Sequence, residues 1–400
     1  MKIDRLSLFQ VEGHWKGPSF PPGSRQARAI DLYPEFNLEL DYSPRSGDLH
    51  REFYVEIRTD EDLSGLFGPI DSAQVFVIRD ELGPFLLGRD PLATEALHDQ
   101  MLRLNRHGRS GLFMTGLSAL DCALWDLKGK VFAQPVYRLL GGPTRFTADH
   151  HPAEVPVYAS MLSYSIEPEQ AAETATAFKS QGFSAQKWFF RYGPADGVAG
   201  KERNLAMARA VRQAVGWHYP LMFDAFMGWD FPYALEMMKD LAPLQPTWVE
   251  EPLPPERVES LHQLRTLSGV PLATGEHIYT RWQVKALLMQ QAVDYIQTDP
   301  DWTGGITEQV KICALASAFD VPVVAHGHSL LPALHVAAAQ SPAVVPYVEY
   351  LFIHQEGKQY FHNPIYRPAN GGIRLPDLPG LGLVLDLQKI EEKTMIVAIC

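Results

Sequence analysis

Five acidic residues and one histidine, Asp224, Glu250, Glu276, Asp299, His326 and Glu349, follow one another at intervals of 26, 26, 23, 27 and 23 residues. Each closes a short apolar run: LMFD, TWVE, LATGE, YIQTD, VPVVAH and PYVE. An interval of about 25 residues fits one strand and one returning helix, and repeating it wraps parallel strands into a barrel whose active site lies at their C-terminal ends. The six side chains are therefore expected to converge. Asp224, Glu250 and Glu276 would put three carboxylates on one rim, which is unfavourable without a cation. Hard oxygen ligands without thiolates select Mg²⁺. Any one of these acids could equally cap the next helix, but three at even strand-end spacing favour the ligand reading.

Asp299 and His326 would be rim neighbours, and a carboxylate beside an imidazole fixes its tautomer and raises its pKa, giving a base that works near neutral pH. His328, two residues on in AHGHS, is the competing candidate; His326 is preferred because it sits at the strand end. A divalent metal facing a histidine base suits removal of a proton next to a carboxylate. Glu349 could hydrogen-bond the developing enolate if protonated or hold a substrate hydroxyl if ionised. Lys187, in SAQKWFF, points to the same mouth and could bind a substrate carboxylate or pair with the acids. Trp188, Phe189 and Phe190 read as packing, and Gly304–Gly305 as a tight turn before a helix, with no ligand.

The elements that must carry these residues are legible in outline. Strand candidates from Val155 are VPVYASM, SAQKWFF, YPLMFDAF, PTWVEEP, PLATGE, DYIQTD, VPVVAHG and VPYVEYL, with amphipathic helical patterns between them. Before them, IDRLSLFQVEG and REFYVEIRTDEDLSG alternate as antiparallel strands, and MTGLSALDCALWDLKGKV reads as a helix stopped by Gly–Gly–Pro. A small α+β domain over 1–140 thus precedes a barrel over 150–355. The Pro- and Gly-rich stretch at about 14–36 is long for a loop and is read as a substrate lid. After residue 355 the period fades into an extended tail, 356–400.

Composition excludes several classes. Hydrophobic residues at 46% and charged residues at 20% are ordinary for a globular core. The net charge of −12, with no Lys/Arg block, argues against a nucleic-acid or lipid partner. Cys122, Cys313 and Cys400 are odd in number and widely spaced, which suggests no disulfide framework and a reducing cytoplasm. No apolar run is long enough to span a bilayer, and the start lacks a signal-peptide pattern.

The chain resembles the enolase superfamily in its mandelate-racemase-like branch. The likeness spans the chain: SALDCALWDLKGK with PVYRLLGG, then LMFDAF, WVEEPLPP, TGEH, DWTGGITE, VVAHGHS and GGIRLPDLPGLGL. It implies a modified (β/α)7β TIM-type barrel under an α+β capping domain built from both chain ends, the 356–400 segment packing back on it. It also implies Mg²⁺ on Asp224, Glu250 and Glu276, with Glu251 behind Glu250, an Asp299–His326 dyad, Glu349 as the hydrogen-bonding partner, and a homo-oligomer.

Within the branch, WVEEPLPPERVES, TGEHIYTR, WTGG and AHGHS look most like the L-rhamnonate dehydratases. That likeness makes His14 a substrate-binding residue of the early loop, sets His277 in the pocket, and offers Arg45 as a further substrate contact. Racemases of the branch carry a second-strand K-x-K whose second lysine is a base; here that position is Phe189. The dyad aspartate follows Thr298, with proline shifted to Pro300, and AHGHS has a histidine where rhamnonate enzymes more often show serine. The expectation is an Mg²⁺-dependent acid-sugar dehydratase that removes the C2 proton of an aldonate and expels the C3 hydroxyl. Its rivals are an epimerase or cycloisomerase, which needs a second base, a barrel metal hydrolase, which usually recruits histidine ligands, and a non-catalytic scaffold.

Overall fold

The computed structural model describes residues 1–17, 19–20, 23–36 and 45–400. The alternating N-terminal segments form β1 (Ile3–His14) and β2 (Leu49–Thr59), joined by β3 (Ser64–Ile70) in one antiparallel sheet. The helix Leu112–Val131 packs on this sheet. The second sheet is parallel and runs in the order of the chain: β4 (Val155–Ser160), β5 (Gln186–Phe189), β6 (Leu221–Asp224), β7 (Val249–Glu250), β8 (Leu272–Thr274) and β9 (Tyr295–Ile296), with β10 (Val348–Leu351) beside β4. All the strand candidates occupy this ring. The seventh, VPVVAHG, does so through a single bridge between Val323 and Ile296, and Val323 N–H donates to Val344 O at 2.8 Å. Within the ring Tyr158, Ala185, Met222, Trp248, Ala273 and Val324 make a separate buried cluster, the floor on which the polar mouth rests.

The tail is more than an extended cover. After the two-residue β11 (Gly372–Ile373) on β4, β12 (Glu392–Ile399) forms the edge of the N-terminal sheet, pairing Leu6 with Ile399 and Glu12 with Glu392. Both ends of the chain therefore build one cap. Polar groups on the Leu112–Val131 helix join cap to barrel. Ser118 Oγ accepts from Gly304 N–H at 2.8 Å, Asp121 accepts from Thr307 N–H at 2.9 Å, and Trp125 Nε1 donates to Thr307 Oγ1 at 2.8 Å. Gly304 and Gly305 have φ of 128° and 84°, and a Cβ on Gly305 would lie 2.2 Å from Asp121 Oδ2. Their role is that tight turn and close approach.

Residues 18, 21 and 22 of the lid segment lie outside the described residues. The rest is stitched to barrel loops. Ser24 N–H donates to Tyr164 O at 3.1 Å, Ala27 N–H to Phe190 O at 2.7 Å, and buried Arg25 pairs with Asp31 at 2.6 Å. Gly23 is required there, since a Cβ would meet Ser163 O at 1.5 Å. No helix among the described residues is long and apolar enough to cross a membrane.

Buried neutral histidines give the fold a pH signature. His335 is fully buried between Tyr137 N–H and Leu381 O, each 3.1 Å away, and burial pushes its pKa down to about 4. A depressed pKa means that the unfolded chain binds the extra proton, so the stability it contributes is whole above about 6.5 and is lost as pH falls toward 4. The stability difference between wild type and His335→Gln, measured by denaturant unfolding, is expected to shrink by about 3 kcal/mol across that window. A difference independent of pH would contradict this assignment.

Candidate active site at the barrel mouth

Strand register brings the acids together. Asp224 at the end of β6 stands opposite Glu250 on β7 and Phe189 on β5. From β5, fully buried Lys187 reaches across, its Nζ 3.1 Å from Asp224 Oδ2, 2.7 Å from Glu250 Oε2 and 2.9 Å from Glu349 Oε1. Of its two alternatives, Lys187 takes the pairing with the acids, which enclose its ammonium. One ammonium cannot compensate three buried carboxylates. Burial, opposed by Lys187, lifts Asp224 to about 6, and burial with the neighbouring Asp224 lifts Glu250 well above the carboxylate range. Glu250 Oε2 also accepts from Gln297 Nε2 at 2.6 Å, whereas the buried Oε1 has no hydrogen-bond partner among the described residues.

Glu276 turns to the histidines. Its Oε2 lies 2.9 Å from His326 Nε2 and its Oε1 3.3 Å from His277 Nδ1. Burial opposes ionisation of Glu276, yet His326, His277 and Lys187 together hold it at about 2. His326 Nδ1 is 3.2 Å from Asp299 Oδ2, so the imidazole is clasped between two carboxylates. Burial alone would depress the imidazole; Glu276 and Asp299 outweigh it and hold its pKa well above the ordinary value. Asp299 is itself fixed by N–H groups of Asp301 and His328 at 2.8 and 3.1 Å. Glu349 accepts from Ser160 Oγ at 2.6 Å, Gly327 N–H at 2.9 Å and Lys187. Despite burial, Lys187 and His326 pull its pKa down, so of its two alternatives the surroundings select the carboxylate.

Residues 169–389 match the model of the enolase C-terminal domain-like family, and residues 51–141 that of the mandelate racemase / muconate lactonizing enzyme N-terminal domain. The chain belongs to the enolase superfamily. It is 34% identical over 388 residues to the L-rhamnonate dehydratase of Saccharopolyspora erythraea, covering 94% of this chain and 92% of that one. The crystal structure of rhamnonate dehydratase from Gibberella zeae complexed with Mg superposes with a TM-score of 0.81 at 29% identity, over 97% and 95% of the two chains. The 3,6-anhydro-D-galactonate cycloisomerase of Zobellia galactanivorans gives 0.77 at 26% identity, over 98% and 100%. Enolase-superfamily membership therefore settles the scaffold, and the reaction has to be argued from this member's side chains.

Three features of this enolase-superfamily mouth lie outside the sequence reading. Glu251 is a partner rather than a bystander: its Oε1 accepts from Thr274 Oγ1 at 3.0 Å and its Oε2 lies 2.8 Å from His277 Nδ1. That contact, against the cost of burial, raises the His277 pKa to about 9. Trp302 centres the aromatic wall, its ring centroid 5.0 Å from that of His326, 4.7 Å from His328 and 6.0 Å from His277. His328 Nδ1 is 3.0 Å from Asp301 Oδ2. The WTGG and AHGHS motifs contained these last residues without showing that they meet.

The substrate contacts inferred by family likeness fare unequally. His277 is half-buried at the mouth. His14 is the last residue of β1 rather than a loop residue, is 57% exposed, and holds Glu391 at 2.7 Å through Nδ1. Arg45 is exposed at the turn before β2, where its backbone N–H donates to Asp48 at 2.9 Å. Among the described residues, His14 makes no hydrogen bond or ion pair with the ring of acids.

Proposed function

We propose that the chain is a Mg²⁺-dependent acid-sugar dehydratase that acts on an aldonate of the L-rhamnonate type and yields a 2-keto-3-deoxy acid. The observation that carries this is a single base: His326 on Asp299 faces the acid cluster, while the position where racemases of the branch place a second base is Phe189, buried. The name and near full-length identity of the S. erythraea relative support the same reading. Asp224, Glu250 and Glu276 suit Mg²⁺ because they offer only carboxylate oxygens and because Glu250 Oε1 is buried without a hydrogen-bond partner among the described residues. Glu251, Glu276 and His277 also bring ligand atoms within 4.8 Å of one another, but both oxygens of Glu251 are already taken by Thr274 and His277. When bound, Mg²⁺ supplies positive charge against the substrate carboxylate and the negative charge that develops on it.

The chain's own residues then divide the work. Asp299 holds Nδ1 of His326, which keeps the proton there, so that Nε2, on the side of Glu276, would be the nitrogen that takes the C2 proton if Glu276 served as a Mg²⁺ ligand. The C3–O bond breaks as the C2=C3 bond forms, and His326 returns the proton to the departing hydroxyl, so that water leaves and the enol ketonises. No electrons are exchanged with a second reactant. Glu349, held as a carboxylate, is placed to accept a hydrogen bond from a substrate hydroxyl, and Lys187 tempers the charge of the cluster.

A library of aldonates and aldarates with Mg²⁺, read by semicarbazide detection of 2-keto acids, tests this reading. Turnover is expected on L-rhamnonate or a stereochemical relative, abolished by EDTA. Silence across the library overturns the assignment.

A further inference from the structure

His328 and Asp301 repeat, two residues on, the arrangement of His326 and Asp299. Each imidazole presents Nδ1 to an aspartate, at 3.0 Å and 3.2 Å respectively, and both rings lie against Trp302. The two rings are nearly parallel, 12° apart with centroids separated by 6.5 Å. The loop that carries them is fixed at several points: His328 N–H donates to Asp299 Oδ2 at 3.1 Å, and buried Gln355 donates to Gly327 O at 2.6 Å.

Fixing an imidazole so firmly costs conformational freedom, and in a purely structural histidine the nitrogens are either bonded within the chain or, like Nδ1 of His362, sealed from solvent. His335 is the example here, bonded on each side at 3.1 Å. His328 differs. Its Nδ1 is held by fully buried Asp301, its Nε2 makes no hydrogen bond among the described residues, and its side chain is 15% exposed, close to the 12% of the base His326. A pinned ring with one open nitrogen, beside the base and on the same aromatic wall, awaits a partner from outside the chain.

We infer that His328 is a specificity-determining residue of the acid-sugar site, its Nε2 hydrogen-bonding a substrate hydroxyl on a carbon beyond the two that react, with Asp301 as the residue that positions it; this rests on the dehydratase reading. A hydroxyl both donates and accepts, so the contact forms with either imidazole tautomer. The 6.5 Å between the two rings sets His328 apart from the carbons that His326 serves. A buried site built to bond a hydroxyl discriminates strongly against the analogue that lacks it.

The test compares wild type, His328→Ala, His328→Gln and Asp301→Asn on the best aldonate of the screen and on its 4-deoxy and 5-deoxy analogues, together with C2–H exchange in D2O. His328→Ala is expected to lose about 100-fold in kcat/KM on the full substrate, mostly in KM, and to lose little more on one of the deoxy analogues. C2–H exchange should persist, and His328→Gln, which keeps a hydrogen-bonding group, should recover part of the loss. Asp301→Asn, which leaves the imidazole in place, should show the same selectivity in smaller measure and serves if His328→Ala does not fold. Equal losses on all substrates, or none, overturn the inference while leaving the dehydratase reading intact. Wild type inert on every acid sugar overturns both.

Discussion

His326→Asn is expected to lower kcat on the acid-sugar substrate by about 10²–10⁴-fold, the range in which a positioned acid–base group operates. Under the proposed mechanism the same nitrogen takes the C2 proton and returns one to the leaving hydroxyl, so that no second group takes over. Phe189 offers no proton acceptor, and Lys187 Nζ is enclosed by three carboxylates. The substitution should not disturb the frame. Asp299 remains fixed by the N–H groups of Asp301 and His328, and Glu349 by Ser160 and Gly327. Circular dichroism should therefore match wild type, and Mg²⁺ should still bind, with an affinity changed only through the loss of the His326 contact to Glu276. Asp299→Asn makes an informative contrast, since the same carboxylate orients His326 and holds the loop N–H groups; it should lose activity and some stability together. Turnover retained by His326→Asn would remove this residue from the chemistry and move attention to His328.

What the sequence revealed and what it hid divide along physical lines. The ring of acids was legible because a parallel barrel imposes a strand-plus-helix interval, and side chains at the strand C-termini have to share one rim. Chemistry carried by strand ends therefore shows as spacing. The Glu251–His277 and Asp301–His328 pairs belong to the residues just past the strand ends, where the backbone turns and no period predicts which side chain faces which. Phe226 and Glu251, with φ of 45° and 39°, mark how irregular that rim is. Lys187 was ambiguous because a buried cation beside acids and an open substrate cation look alike in a sequence. The terminal strand β12 was missed for another reason. As an edge strand it is mostly exposed on both faces, so it lacks the apolar–polar alternation that gave away β1 and β2. His14 and Arg45 were placed by likeness in a loop whose course the sequence does not constrain, and the structure sets them at the cap surface.

Lys187→Met is expected to be the most destabilising single change at the mouth, by about 3–5 kcal/mol in the presence of EDTA, because it leaves three buried carboxylates without their cation. Asp224, Glu250 and Glu349 would each have to take up a proton or repel the others, and the raised pKa values of Asp224 and Glu250 show that the first two are already near that limit. Glu349 would suffer least, since Ser160 and Gly327 still donate to it. If the same acids hold Mg²⁺, the metal substitutes for part of the missing charge. Saturating Mg²⁺ at about 100 times its Kd would then return about 2.7 kcal/mol by binding to the folded state alone. Lys187→Met should accordingly recover with Mg²⁺ more than wild type gains from it, because relief of carboxylate repulsion adds to the binding. Urea unfolding of both proteins in EDTA and in Mg²⁺ measures the four values required. An identical loss in the two conditions would mean that Lys187 and the metal do not share a charge cluster, and would place the ion away from Asp224 and Glu250.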